Sequence, residues 1–117
     1  MKYNDDNIFA KIIKKEIPCE KIYEDEDILS FKDINPLAPV HVLVIPKKNY
    51  VSFDDFMNNA EKDYIISFFE KLKLVINKLN ISKSGYRIIS NHGMDANQEV
   101  QHFHFHILAG DNLGGIR

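Results

Sequence analysis

Gln98–Leu108 reads QEVQHFHFHIL, and its second half decides the fold. His102, His104 and His106 alternate with Phe103, Phe105 and Ile107. Successive side chains of an extended strand point to opposite faces, so the alternation puts three imidazoles on one face and three apolar side chains on the other. With about 3.3 Å of rise per residue, neighbouring imidazoles start roughly 6.6–7 Å apart. We place this strand from Val100 to Leu108. Three of the chain's five histidines line it.

Three chemistries suit such a ribbon. The rings can be ordinary histidines satisfied by backbone hydrogen bonds, although the cost of burying a polar group then recurs three times. They can bind a metal, with His41 of a neighbouring apolar strand as a further nitrogen ligand. Or they can act as nucleophile and acid–base groups, because imidazole is uncharged near neutral pH and its tautomer is set by neighbouring acceptors.

Upstream, Tyr86–Ser90 reads as a strand and the polar run Asn91–Gln98 as a loop. From Ala60 to Leu79 the residues Tyr64, Ile65, Phe68, Phe69, Leu72, Val75, Ile76 and Leu79 recur at three- and four-residue spacing. That spacing predicts a long amphipathic helix. Lys62, Lys71, Lys73 and Lys78 fall on its other face and read as solvated charge. The connection from Pro46 to Glu61 shows no regular pattern.

VHVLVI at Val40–Ile45 is apolar and β-branched apart from His41, as expected of a central strand that stops at Pro46. Asp33–Pro39 precedes it as a rigid loop set by Pro36 and Pro39. Lys21–Tyr23 and Ile28–Lys32 read as a hairpin around the acidic run Glu24–Asp27, which is taken as solvated surface. Asn7–Glu16 carries Ile8, Phe9, Ile12 and Ile13 at helical spacing, with Asn7 as N-cap and Pro18 beyond the end. Helix, hairpin, buried strand, long helix and two strands predict an α+β domain with a mainly antiparallel sheet.

The 117 residues fit one domain, and 44% hydrophobic with 27% charged residues is ordinary globular usage. Fifteen Lys plus Arg against 17 Asp plus Glu give a net charge of −2, which argues against nucleic acid held by bulk electrostatics. A single nucleotide in a pocket remains compatible with that balance. One cysteine, Cys19, makes no internal disulfide, and no apolar run approaches the roughly 18 residues of a membrane span. A cytoplasmic protein away from membranes is expected.

HFHFHIL at His102–Leu108 matches the signature His-φ-His-φ-His-φ-φ, with φ apolar. With NIFAKIIKKEIP at Asn7–Pro18, FKDINPLAPVHVLVIPK at Phe31–Lys47, GYRIISN at Gly85–Asn91 and NQEVQHFHFHILAG at Asn97–Gly110, the chain resembles the histidine triad (HIT) family. The resemblance lies with its nucleotide-binding (Hint) branch and spans nearly the whole chain, the long helix matching only in pattern. It implies a HIT-like α+β fold over residues 1–117, with a mainly antiparallel five-stranded sheet, one short N-terminal helix and one long helix. It also implies a homodimer and hydrolysis of purine nucleoside phosphoramidates, without a cofactor, through a covalent nucleotidyl-histidine. Relatives of the same family hydrolyse dinucleoside polyphosphates, and a nucleotide-binding regulatory role with incidental turnover is a further alternative.

By position the nucleophile is His104. The resemblance gives His106 the phosphate or leaving group, and His102 and His41 the task of orienting the ring. Asp33 matches the ribose-binding carboxylate, although it can also cap its loop. Ile8, Phe9, Ile12, Phe31, Ile34 and Leu43 match the walls of the base pocket, where core packing is their other reading. Asn91 matches an asparagine on the phosphate and leaving-group side, and Gln98, Glu99 and Val100 form the approach to the triad. Asn97 stands where glycine is usual, and Glu99 where serine or threonine is frequent. Asn7 and Ala10 replace a CxxC pair of some bacterial relatives, so the resemblance implies no zinc.

Overall fold

A computed structural model describes residues 2–116. Helix α1 (Ile8–Ile13) is followed by strands β1 (Lys21–Glu24), β2 (Ile28–Lys32) and β3 (Val40–Pro46). Helices α2 (Phe53–Asn59) and α3 (Lys62–Leu79) lead to β4 (Tyr86–Ile89) and β5 (Phe105–Ala109). The five strands form one sheet in the order β1-β2-β3-β5-β4, with every pair antiparallel. The α+β class, the hairpin and the central place of VHVLVI agree with the sequence reading.

Alternation along the strands divides the core in two. Ile28, Val42, Val44, Phe105 and Ile107 face α2 and α3, packing with Phe56, Phe68, Leu72 and Val75. Leu29, Phe31, Leu43 and Ile45 point to the other face and meet Phe9 and Ile12 of the short α1. The large helix thus seals one face, and α1 covers only part of the other. The uncovered part holds the imidazoles.

Several boundaries differ from expectation. Helix α1 starts on the Asn7 cap, whose side chain accepts from the Ala10 amide, but it ends at Ile13 rather than Glu16 because Lys15 adopts a left-handed backbone (φ 66°). The stretch read as irregular before Glu61 contains α2. There Ser52 stands at the N-cap without a side-chain capping bond, Asp55 reaches back to accept from the Val51 amide at 2.7 Å, and Phe56 is fully buried, which anchors the helix on the core. Helix α3 begins at Lys62, two residues later than predicted.

The acidic run is not merely solvated. Lys71 of α3 reaches Asp25 at 2.9 Å and Asp27 at 3.1 Å, while Glu24 pairs with Lys47 and, at 3.0 Å, with Lys21. Of the four lysines assigned to solvent on α3, Lys62, Lys73 and Lys78 are exposed and Lys71 is not. No described helix is long and apolar enough to cross a membrane.

The last strand is shorter than expected: the chain bends at residues 100–102, and pairing begins only at Phe105. Backbone groups between this bend and β5 find partners outside a ladder. The Phe103 amide donates to the Tyr50 carbonyl at 2.8 Å, and Ser90, beyond the end of β4, donates its hydroxyl to the His104 carbonyl at 2.8 Å. Phe103 stacks on Phe56, centroids 4.6 Å apart, inside the larger core. The alternation of faces therefore survives without a regular strand, because the phenylalanines are held on the far side.

Candidate active site

A cleft of about 400 Å³ opens on the face left free by α1, within the size range of small-ligand sites. The β3–β5 register pairs Leu43 with His106 and His41 with Leu108, making His41 and His106 diagonal neighbours on that face. His104 enters from the segment just before β5, with its ring centroid 5.0 Å from that of His106. Phe9 of α1 meets the His104 ring edge-on at 5.0 Å.

The hydrogen bonds assign a tautomer to each ring. His104 Nδ1 lies 2.6 Å from the His102 carbonyl, which can only accept, so the proton is on Nδ1 and Nε2 keeps its lone pair. Because His104 lines the cleft and Nε2 has no hydrogen-bond partner among the described residues, that lone pair is open to a ligand. His41 Nδ1 accepts from the Leu37 amide at 3.0 Å, so its Nε2 carries the proton and donates to His106 Nδ1 at 2.9 Å. His106 then presents Nε2–H as a donor beside the lone pair of His104. A lone pair and a donor hydrogen thus belong to neighbouring rings that both line the cleft, each fixed by a bond behind it.

Electrostatics keep these rings neutral. Burial, with the Pro46 carbonyl opposing it and His104 adding to it, pulls His102 down to about 4. Burial and the neighbouring His104 and His41 bring His106 to about 4, against an opposing pull from Asp33. His104 is also lowered by burial, with the His102 carbonyl, Asp33 and Glu99 opposing. His41 is lowered by burial against the Asp33 charge. A set of neutral imidazoles at pH 7 is a set of potential nucleophiles and neutral donors.

Asp33 is half-buried at the mouth, with Oδ2 3.4 Å from His41 Nε2 and Oδ1 accepting from the Asn35 amide at 2.8 Å. It therefore caps its loop and also faces the cleft. Phe9, Asp33, His41, Asn91, Glu99, Val100, His104 and His106 are the expected site residues that line the cleft. His102 lies behind it, fully buried. Ile12, Phe31 and Leu43 belong to the smaller core under α1 rather than to the cleft wall, while Ile8 and Ile34 are exposed, Ile34 at 89%. Gln98 is turned away: its side-chain amide donates to the Val51 and Val100 carbonyls and its oxygen accepts from the Gly93 amide. Its contribution is to clip the 93–100 loop to the segment before α2.

Five lining residues, Asn35, Leu37, Ile89, Ala96 and Leu108, were not singled out as site residues by the sequence. Asn35 and Leu37 lie in the proline-bounded loop, and that loop's rigidity was the available signal. Asn97 adopts the left-handed backbone (φ 55°) at the position where glycine is usual, a conformation asparagine tolerates. Its side chain also lies 3.5 Å from Glu99. Asp33, His41 and His106 each offer a ligand atom within 4.8 Å of the others. A metal there would have to displace the proton shared by His41 and His106.

The HIT domain model matches residues 14–113 of this chain. The chain belongs to the HIT domain family. A HIT-like protein of Rickettsia prowazekii, itself uncharacterized, is 50% identical over 97% of this chain and 95% of its own length. Among solved HIT structures, a histidine triad protein from Clostridium difficile superposes with a TM-score of 0.87 at 41% identity, covering 100% of both chains. A HIT family hydrolase from Clostridium thermocellum superposes with a TM-score of 0.86 at 40% identity, covering 97% of each chain. The HIT fold is therefore shared with these two solved structures over nearly the whole of the described chain.

Proposed function

We propose that this HIT domain is a single-domain, cytoplasmic purine nucleoside phosphoramidate hydrolase of the Hint type, working through a nucleotidyl-His104 intermediate. One observation carries the reading: His104 Nε2 is an unprotonated nitrogen open to the cleft, with the His106 ring presenting a hydrogen beside it. The hydrolase from Clostridium thermocellum, alike over nearly its whole length, supports the reaction class.

His104 Nε2 attacks the α-phosphorus and the phosphorus–nitrogen bond breaks. The positive charge left on the ring is stabilised by the His102 carbonyl at Nδ1. Substrate anionic oxygens, together with Asp33, raise the proton affinity of the hydrogen-bonded His41–His106 pair. On substrate binding the pair takes up one proton from solvent, and it delivers that proton to the leaving amine and returns to its neutral form. Water then attacks phosphorus, the His104–phosphorus bond breaks, and the proton lost by water passes to the pair and back to solvent as the product leaves. No net proton is left on the enzyme, and no metal enters any step. Asp33 accepts from the ribose hydroxyls, Phe9 and Val100 flank the base, and Asn91 and the Gln98–Val100 backbone lie toward the phosphate and leaving group. Ile8, Ile12, Phe31, Ile34 and Leu43 act on the base only through α1 and the loop.

Among the described residues, none that lines the cleft is Lys or Arg, whereas Asp33 and Glu99 are both there. A dinucleoside polyphosphate would bring several anionic groups to those carboxylates, so a phosphoramidate is the better match. The same reading includes a homodimer. Strand β4 is an open sheet edge with Tyr86 and Ile88 partly exposed, and Ile66, Phe69 and Leu74 of α3 are also exposed. A monomer at micromolar concentration in sedimentation would remove that part.

The test is steady-state hydrolysis of a fluorogenic adenosine phosphoramidate with a chelator present, run beside diadenosine polyphosphates and His104→Ala. Chelator-resistant turnover that falls by at least about a thousandfold in the variant is expected. Near-normal turnover by a folded His104→Ala protein overturns the mechanism. Preference for the polyphosphate overturns the substrate, and nucleotide binding without turnover of any substrate favours a regulatory role.

A further inference from the structure

The arm before α1 sends a side chain to the back of the triad. The Tyr3 hydroxyl lies 2.6 Å from His102 Nδ1, and the two rings meet edge-on with centroids 5.5 Å apart. The other nitrogen of that ring, Nε2, is 2.8 Å from the Pro46 carbonyl. A carbonyl accepts only, so Nε2 bears the proton, Nδ1 of the neutral ring is the acceptor, and Tyr3 is the donor. The arm is tied down beside this contact. The Asn4 carbonyl accepts from the Asn7 side chain at 2.8 Å, and Asn7 in turn caps α1.

We propose that Tyr3 is a positioning residue for catalysis: by donating to His102 Nδ1 it locks the ring and backbone whose carbonyl keeps the proton of His104 on Nδ1. Both ring nitrogens of His102 are then committed, and the ring cannot turn without leaving one of them unpaired in a site with no exposure to solvent. The His102 carbonyl receives His104 Nδ1–H at 2.6 Å, so movement at residue 102 is transmitted directly to the nucleophile. A misplaced carbonyl would allow His104 to shift its proton to Nε2, which would then have no lone pair for attack. The link to turnover rests on the function proposed above, whereas the tautomers do not depend on any substrate.

Tyr3→Phe removes the hydroxyl and keeps the ring packing. Imidazole nitrogen spectra of the whole protein should show Nε2–H at His102 and Nδ1–H at His104 in the unaltered chain. In the variant, the His102 Nδ1 resonance should move to that of an unbonded acceptor, and the His104 Nδ1 proton should exchange about tenfold faster. Single-turnover nucleotidylation from an adenosine phosphoramidate should slow about tenfold, with AMP affinity held within about twofold. Unchanged exchange and nucleotidylation in a folded variant would overturn the proposal. A loss of AMP affinity and melting temperature in step with rate would do the same, since it would mean general loosening. If the variant does not fold, the spectrum of the unaltered chain still decides, because a proton on His102 Nδ1 contradicts donation by Tyr3. Should the unaltered protein not cleave phosphoramidates, the proposed function falls while the nitrogen spectra still report on Tyr3.

Discussion

His104 and Glu99 show how much chemistry a single position carries. An imidazole attacks phosphorus only when one nitrogen is unprotonated and accessible, and His104 meets both conditions because a backbone carbonyl holds its other proton. Glu99 brings a carboxylate to the same cleft at a position where the family frequently has a hydroxyl. A carboxylate there repels the phosphate and attracts a cationic leaving group. We predict that Glu99→Ser will raise kcat/KM for a phosphoramidate with a neutral amine about three- to tenfold, and will reduce the advantage of one with a second, protonated amine. Steady-state assays at low and high salt check this, since the difference should shrink as salt screens the charge. Equal response of both substrates would show that Glu99 does not face the leaving group.

Elements hold these residues through contacts that lie away from the cleft. Phe103, locked against Phe56, forces His102 and His104 to the opposite side, so the aromatic core supplies the spacing that a regular strand was expected to supply. The turn between β1 and β2 is clamped to α3 by Lys71. Burial tends to raise Asp25, but Lys71, the Ile28 and Asp27 amides and Tyr23 hold it down to about 2, while Lys47 and Lys21 hold Glu24 to about 2. The Tyr64 hydroxyl adds a bond from α3 to the Asp27 carbonyl at 2.8 Å. Lys71→Met should cost about 1 kcal/mol of stability, a value kept small because the pair is partly solvated. Thermal melting reads that loss, and any turnover in the phosphoramidate assay proposed above should remain unchanged below the melting range.

Across the whole molecule, the buried histidines link stability to pH. His102 and His106 fall to about 4 in the folded chain, against an ordinary value of 6.5, and His41 and His104 are lowered as well. The unfolded chain therefore binds more protons than the folded one between these values, and folding stability must fall as protons are added. We expect full stability above about pH 6.5 and progressive loss toward pH 4, seen as a falling urea midpoint. Glu24 and Asp25 act in a lower window, since their contribution is lost only below their unfolded values and down to about pH 2. A midpoint unchanged from pH 7 to pH 5 would mean that the folded rings titrate at the same value as in the unfolded chain.

Local pattern and family resemblance made much of this molecule legible. VHVLVI is apolar enough to require neighbours on both sides, α3 repeats at helical spacing, and the HFHFHIL alternation separates imidazoles from core residues. Those features depend on residues near one another in the chain, whose side-chain period sets which face is buried. The sequence alone therefore determined the α+β sheet, the buried side of each major element and the identity of the histidine group. Tertiary structure decided the rest, because it depends on partners distant in sequence. Asp25 and Asp27 found Lys71, Gln98 found the Val51 carbonyl, and Tyr3 found a ring 99 residues away. The tautomer of each histidine belongs to this second group, since a proton's place on an imidazole is set by whichever donor or acceptor the fold brings against it.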